Sequence, residues 1–402
     1  MNLLQLFASS HLMWLVRSAT YASICPRTPL QAQLSDFSGR DAFPLNLGAA
    51  YKPTIGGGQQ PLDWKWQGPH TCIGKYCVWS SETSSGDGLS IITTSANSML
   101  VQNMTTSMGS TFTSPALRTV QIANKGVGMI AVEPIRRGER ILAAEPVVLV
   151  HRSLIDELTD ASQHDLLEMA MKHLPEAKRR QFMAQAGEFG GHRIKDIMFT
   201  NSFQINLGGH DGQHFGNFPV VSRFNHDCRP NVAFYIDGNL THHTHAIRDI
   251  EPGEELTISY LDSFRARDVR QQRAHASWGF ACTCSQCSLS KDEADISDAR
   301  LYSIYKEENL LADLGNSQVT PTMIEHLIEL YEQERLDFKI ADVYTLAALN
   351  YNILGMAEMA QKYAQLSIEQ GVMEHGPEAP DIEAMRLLLA NPRGHWTYNR
   401  RV

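Results

Sequence analysis

The sequence predicts an α+β fold: a β-domain of short strands, interrupted by a helical insert and followed by an α-helical tail. Three observations predict it. Short apolar runs punctuated by Gly and Pro fill residues 116–150, and strand-like residues return over 218–260. Between them, residues 153–199 place Leu154, Leu158, Leu166, Leu167, Met171 and Leu174 at helical spacing. Beyond Cys287, residues 292–390 are nearly all helical in pattern.

With 402 residues the chain has room for two or three domains, and 43% hydrophobic content is enough for a buried core. A net charge of −9 excludes a surface that is basic throughout, so no direct grip on nucleic acid is expected. No run of about eighteen apolar residues occurs, so no membrane span is expected.

Residues 1–114 are poor in helical periodicity and rich in Gly, Ser and Thr, with Gly56-Gly57-Gly58 and the run 80–90 as flexible marks; an irregular region with a few short strands is expected. Residues 1–22 resemble a secretory signal, with an apolar run from Leu3 to Val16 and small residues near Ala22. However, Arg17 follows that run and no basic residue precedes it. A signal and a weakly packed leader both stay open. Cys25, Cys72 and Cys77 read either as a disulfide set with one thiol left over or as buried thiols in a reduced protein.

Over 115–262 the β-texture begins with Val127-Gly128-Met129-Ile130-Ala131-Val132 and is broken by the insert at about 153–199. It resumes with Val232, Phe234, Ile236, Thr257, Ile258 and Tyr260. Residues 263–288 carry Cys282, Cys284 and Cys287, and residues 289–402 form the tail. In the tail, Ala347, Tyr351, Leu354-Gly355, Ala360, Tyr363 and Ala364 are similar to one tetratricopeptide-type hairpin. A plain helical bundle packed on the β-domain fits equally well. The tail is also a candidate surface for a protein partner.

The densest chemistry is Arg223-Phe224-Asn225-His226-Asp227-Cys228-Arg229-Pro230-Asn231, followed by Gly253-Glu254-Glu255-Leu256-Thr257-Ile258-Ser259-Tyr260. Together with the Gly126-Val127-Gly128 turn and the C-x-C-x2-C cluster at 282–287, in this order, the chain resembles the SET-domain protein-lysine methyltransferases. The resemblance covers about 115–288. It is similar to the SET-and-MYND group and its fungal relatives, but lacks the MYND finger: residues 129–200 contain no cysteine.

The resemblance implies transfer of a methyl group from S-adenosyl-L-methionine to the side-chain amine of a protein lysine, in a histone tail or another protein. It implies cofactor contacts from Gly126, Val127, Gly128, Asn201, Arg223, Phe224, Asn225, His226, Tyr260 and Phe280. It further implies a catalytic Tyr260, a lysine channel walled by Trp278 and Phe280, and a threaded segment at 225–228. The alternative is a catalytically silent scaffold that keeps the fold and binds partners through its tail.

Elementary chemistry accounts for these residue types. Two glycines let backbone approach a ligand closely, and Asn and His offer compact donors and acceptors. In-line methyl transfer needs alignment more than covalent help. It also needs a neutral lysine, which costs roughly 4–5 kcal/mol near neutrality from a free pKa of ~10.4 unless an apolar channel lowers it. Tyr260 can orient the amine. Cys228 with Cys282, Cys284 and Cys287 makes a closed four-thiolate set suited to a structural Zn2+. A thiolate site favours the nucleus or cytoplasm, whereas residues 1–22 leave a secretory route open.

His242, His243 and His245 read as an exposed hairpin arm rather than a metal site, and the Gly-rich run 208–216 with His210 and His214 as a mobile loop. Two departures from the family pattern, Asp227 and Arg229, bear on substrate preference rather than activity.

Overall fold

The computed structural model describes residues 64–84, 86–105, 111–207 and 211–400. The signal-like leader, Cys25 and His210 lie outside the described residues. The first part of the chain forms strands β1 (Lys65–Gln67), β2 (Cys72–Ile73), β3 (Tyr76–Glu82) and β4 (Gly88–Thr93), then helix α1 (Ser95–Thr105). Strands β5 (Phe112–Thr113), β6 (Leu117–Ile122), β7 (Gly126–Ala131), β8 (Arg140–Ala144) and β9 (Val148–His151) follow. The insert is helical as expected: α2 (Leu154–Glu157), α3 (Asp160–Lys172), α4 (Glu176–Met183) and α5 (Arg193–Asn201). Strands then return as β10 (Ser202–Asn206), β11 (Gln213–Asn217), β12 (Asn225–His226), β13 (Val232–Ile236), β14 (His242–Ala246) and β15 (Glu255–Ile258). Six helices close the chain: α6 (Arg267–Trp278), α7 (Lys291–Ala312), α8 (Pro321–Gln333), α9 (Ile340–Ile353), α10 (Ala357–Glu374) and α11 (Pro380–Ala390).

The strands make one seven-stranded sheet, ordered β1-β3-β4-β9-β11-β10 with β2 beside β3, and two four-stranded sheets, β12-β15-β7-β6 and β13-β14-β8-β5. The short strands expected before residue 114 are present, and β1–β4 belong to the main sheet rather than to a separate irregular region. β4 pairs in parallel with β9, so they extend the main sheet. Alternation along β3 shows why the sheet is buried on both faces. Tyr76 and Val78 pack with Leu166, Leu167 and Met171 of the insert. Cys77 and Trp79 point instead into the core shared with Ile141, Leu142 and Leu256. Cys72 and Cys77 face each other across β2 and β3 and are joined by a disulfide.

Two expectations need correction. His214 sits in β11, is 1% exposed and bonds Thr93 Oγ1 through Nε2 at 2.7 Å, so residues 213–217 are strand rather than loop. His242 is 0% exposed because β14 is an inner strand, flanked by β13 and β8. His243 and His245 do share a face, both stacking on Tyr235.

The tail has its own core, running from Leu301 to Leu388. Ser290 and Glu293 form a capping box that starts α7, and Thr320 with Pro321 starts α8. Helices α9 and α10 form the hairpin read from the small residues: Ala347, Ala360 and Ala364 are fully buried, and the Tyr351 and Tyr363 rings stack at 5.5 Å. The turn between the two helices contains Gly355 at φ +75°, where only glycine is unstrained. Among the described residues no helix is long and apolar enough to cross a membrane.

Candidate active site

A cavity of about 350 Å³ opens where the insert, the strands and α6 meet, lined by Asn201, Phe203, Phe224, Phe234, Tyr260 and Trp278 among others. The greater part of its wall area is apolar, although Ser202, Gln204, Asn206, Gln213 and Ser259 also line it, and apolar wall favours a neutral amine. Tyr260, just beyond β15, is held from two sides. Its hydroxyl donates to the Phe224 carbonyl at 2.5 Å, and its backbone N–H donates to His226 Nδ1 at 3.1 Å. Because the phenol proton is committed to Phe224, only oxygen lone pairs remain for the cavity. Burial, then the Glu255 charge, raises the phenol well above its usual range, so Tyr260 stays protonated near neutrality.

Asn225 and His226 lie in β12, which pairs in parallel with Thr257 and Ile258 of β15. The Asn225 amide donates to Glu255 Oε1 at 2.8 Å, and Lys125 pairs with the other oxygen at 2.7 Å. Burial pushes His226 down to about 4, so the imidazole is neutral. Asn231 is a staple: its Nδ2 donates to the Glu255 carbonyl at 2.8 Å, and its Oδ1 accepts from Thr257 N at 2.9 Å.

Gly126, Val127 and Gly128 open β7, with Gly126 at φ +76°. A Cβ on Gly128 would stand 2.7 Å from Asn225 Nδ2, so the two motifs touch. Asn201 ends α5, and its Nδ2 donates to the carbonyls of Ala186 (2.7 Å) and Ile197 (2.9 Å). Its side chain therefore presents the acceptor Oδ1, which suits a ligand ammonium. Arg223 donates to the Ala184 carbonyl at 3.1 Å. The loop that supplies these carbonyls is gripped by Asp196, whose carboxylate accepts from the N–H groups of Glu188, Phe189 and Gly190 at 2.8–3.1 Å.

The Trp278 ring lies 5.4 Å from Tyr260, and the Phe280 ring 5.8 Å from His226 and 6.4 Å from Tyr260. Trp278 thus walls the cavity. Phe280 packs behind it against the cysteines. Gly126, Val127, Gly128, Arg223, Asn225, His226 and Phe280 do not line this cavity, although the His226 and Phe280 rings pack against Tyr260.

Cys228, Cys282, Cys284 and Cys287 converge, all buried, with their sulfurs within 4.8 Å of one another and Cys228 to Cys287 at 3.6 Å. Tetrahedral zinc with Zn–S near 2.3 Å sets sulfurs about 3.8 Å apart, so the set can hold Zn2+ and has no open position for water. The sequence reading missed two supports. Gln271 clamps Cys282 with a reciprocal pair of bonds at 2.7 and 2.9 Å. The Arg270 guanidinium, 1% exposed, lies against the sulfurs of Cys228 and Cys287, where its charge offsets the thiolates. Arg270 sits in a run with Arg267 and Arg273, and spacing alone does not distinguish the buried one.

A short strand paired in parallel with β15, a glycine turn packed against it and four converging thiols together are the features of a SET domain. The SET-domain family model matches residues 126–261. Histone-lysine N-methyltransferase set5 of Schizosaccharomyces pombe is 30% identical over 284 residues, covering 69% of this chain and 85% of that protein. N-lysine methyltransferase SMYD2 of Mus musculus is 27% identical over 300 residues, covering 67% of this chain and 66% of that one. Mouse histone-lysine N-methyltransferase SMYD3 is 28% identical over 232 residues, covering 54% and 53%. The chain belongs to the SET-domain family of protein-lysine methyltransferases.

Proposed function

We propose that the chain transfers a methyl group from S-adenosyl-L-methionine to the ε-amine of a lysine in a protein substrate, with a structural zinc at the four cysteines. The reading rests above all on Tyr260, whose hydroxyl is fixed by the Phe224 carbonyl and whose backbone N–H is held by His226, beside a largely apolar cavity. The cofactor supplies an electrophilic methyl on a cationic sulfur; this chain's residues do the rest. Asn201 Oδ1, the Asn225–Glu255 pair and the glycine turn suit a ligand with an ammonium and polar edges. Phe203, Phe234 and Trp278 exclude water from the lysine stem, and an apolar channel helps its amine shed a proton. Tyr260 offers lone pairs that orient the amine and contact methyl hydrogens.

The test is methyl transfer from labelled cofactor to a lysine peptide array. Wild-type chain should label a subset of peptides, and Tyr260→Phe should lower kcat at least about tenfold, or about 1.4 kcal/mol of barrier. Cofactor binding without labelling of any peptide would point to the silent scaffold. Full activity in Tyr260→Phe would remove the tyrosine's role.

A further inference from the structure

Arg229 and Glu334 stand 105 residues apart in sequence and pair at 2.7 Å with side chains only 3% and 0% exposed. Glu334 caps the end of α8 in the tail. Its Oε2 accepts from Arg229, from Ser297 of α7 at 2.8 Å and from Gln286 of the cysteine segment at 3.1 Å. Its Oε1 accepts from Arg300 at 2.7 Å. The Glu334 backbone carbonyl accepts from Arg229 Nε, and Arg229 Nη1 turns back to the Cys228 carbonyl at 2.8 Å. One planar guanidinium thus reads a carboxylate and a carbonyl of the tail together with a carbonyl of the threaded segment.

We infer that Glu334 is a positioning residue for methyl transfer: through Arg229 it holds residues 225–228, which carry Asn225, His226 and one sulfur of the thiol cluster. This rests on the reading that Asn225 and His226 face the cofactor. Simple cohesion would not require such a pair, since apolar side chains of similar volume commonly stabilise a buried site as well or better. A fixed fork does what apolar contact cannot, which is to set direction. Gln286, between Cys284 and Cys287, joins the same carboxylate, so the lid and the threaded strand share one anchor in the tail.

The test uses the full-length chain with Glu334→Gln and with the neutral double variant Arg229→Gln/Glu334→Gln. In Glu334→Gln, amide exchange over 225–231 should accelerate at least about tenfold while the α9–α10 hairpin keeps its protection. The dissociation constant for S-adenosyl-L-methionine should rise about tenfold, about 1.4 kcal/mol. The double variant leaves no unpaired buried charge, so its thermal midpoint should recover while exchange and cofactor affinity do not. Wild-type exchange over 225–231 in Glu334→Gln overturns the inference, and so does joint recovery of midpoint, exchange and affinity in the double variant. Exchange is read without turnover. A wild-type chain that labels no peptide would defeat the proposed reaction and leave this comparison decisive.

Discussion

The two glycines of the Gly126-Val127-Gly128 turn have separable jobs, and substituting each should show it. A Cβ at Gly128 meets Asn225 Nδ2 and Ile122 Cγ1 at 2.7 Å and Glu255 Oε1 at 3.1 Å. Ordinary contact needs about 3.5–4.0 Å, so in Gly128→Ala the Asn225 amide must retreat by nearly 1 Å. That movement strains its 2.8 Å bond to Glu255. Overpacking typically costs about 1–3 kcal/mol; on the proposed contact of Asn225 with the cofactor, it predicts a loss of cofactor affinity of about 5- to 150-fold. Gly126 has nothing within 4 Å but sits at φ +76°. Gly126→Ala should therefore cost about 1–2 kcal/mol of backbone strain, and Gly126→Asn, which tolerates left-handed φ, should recover most of it. Cofactor titration by calorimetry, paired with denaturant melts, reads the two effects separately. Equal affinity in Gly128→Ala and wild type, or an affinity loss in Gly126→Asn as large as in Gly128→Ala, would refute this division of labour.

Two further changes test the surroundings. Removing the buried guanidinium in Arg270→Met takes a positive charge from beside the Cys228 and Cys287 sulfurs, and outer-shell losses of this kind cost about 10- to 100-fold in metal affinity. Chelator competition should show faster zinc loss with Arg270→Lys intermediate, and unchanged retention would remove the assigned role. His242 is held down to about 3 by burial, whereas in the unfolded chain it titrates near 6.5. Between those values the unfolded state binds more protons, so the contribution is complete above pH 6.5 and is lost as pH falls toward 3. From pH 6.5 to 4.5 the loss is about 2 kcal/mol. His242→Phe, which keeps the stack on Phe234 and the edge contact with Phe203, should flatten urea-derived stability over that range, and stability curves for the two proteins that run parallel would contradict it.

Part of the site was legible because its residues lie in contiguous motifs: the four late cysteines converge, and Asn201, Phe224, Tyr260 and Trp278 line one cavity, whereas Asn225, His226 and Phe280 do not line it. The N-terminal strands were less legible because polar residues share their burial with the apolar ones. Ser90 donates to the Ala170 carbonyl at 2.8 Å, and Thr93 bonds His214, so residues that read as flexible lie inside a sheet. His242 misled for a related reason: a His-His-Thr-His run looks solvated, and only its place between two strands makes it core. The Cys72–Cys77 bond depends on register across a two-residue strand, which spacing does not fix. Arg229 and Glu334 meet across 105 residues of sequence, and no local pattern announces such a pair.

The relation between the thiol cluster and Tyr260 follows from hydrogen-bond direction once burial keeps the His226 ring neutral. A neutral imidazole has one N–H. The Tyr260 backbone N–H can only donate, and it points at His226 Nδ1, so that nitrogen is bare. The proton must then sit on Nε2, which faces the Cys228 sulfur at 3.4 Å. A thiolate held in the cluster accepts that proton's hydrogen bond and fixes the tautomer in which Nδ1 can hold Tyr260. The cysteines therefore do more than tie down the segment after β15. Through one buried ring they reach Tyr260, the residue just beyond that strand to which the proposed reaction assigns the amine's orientation.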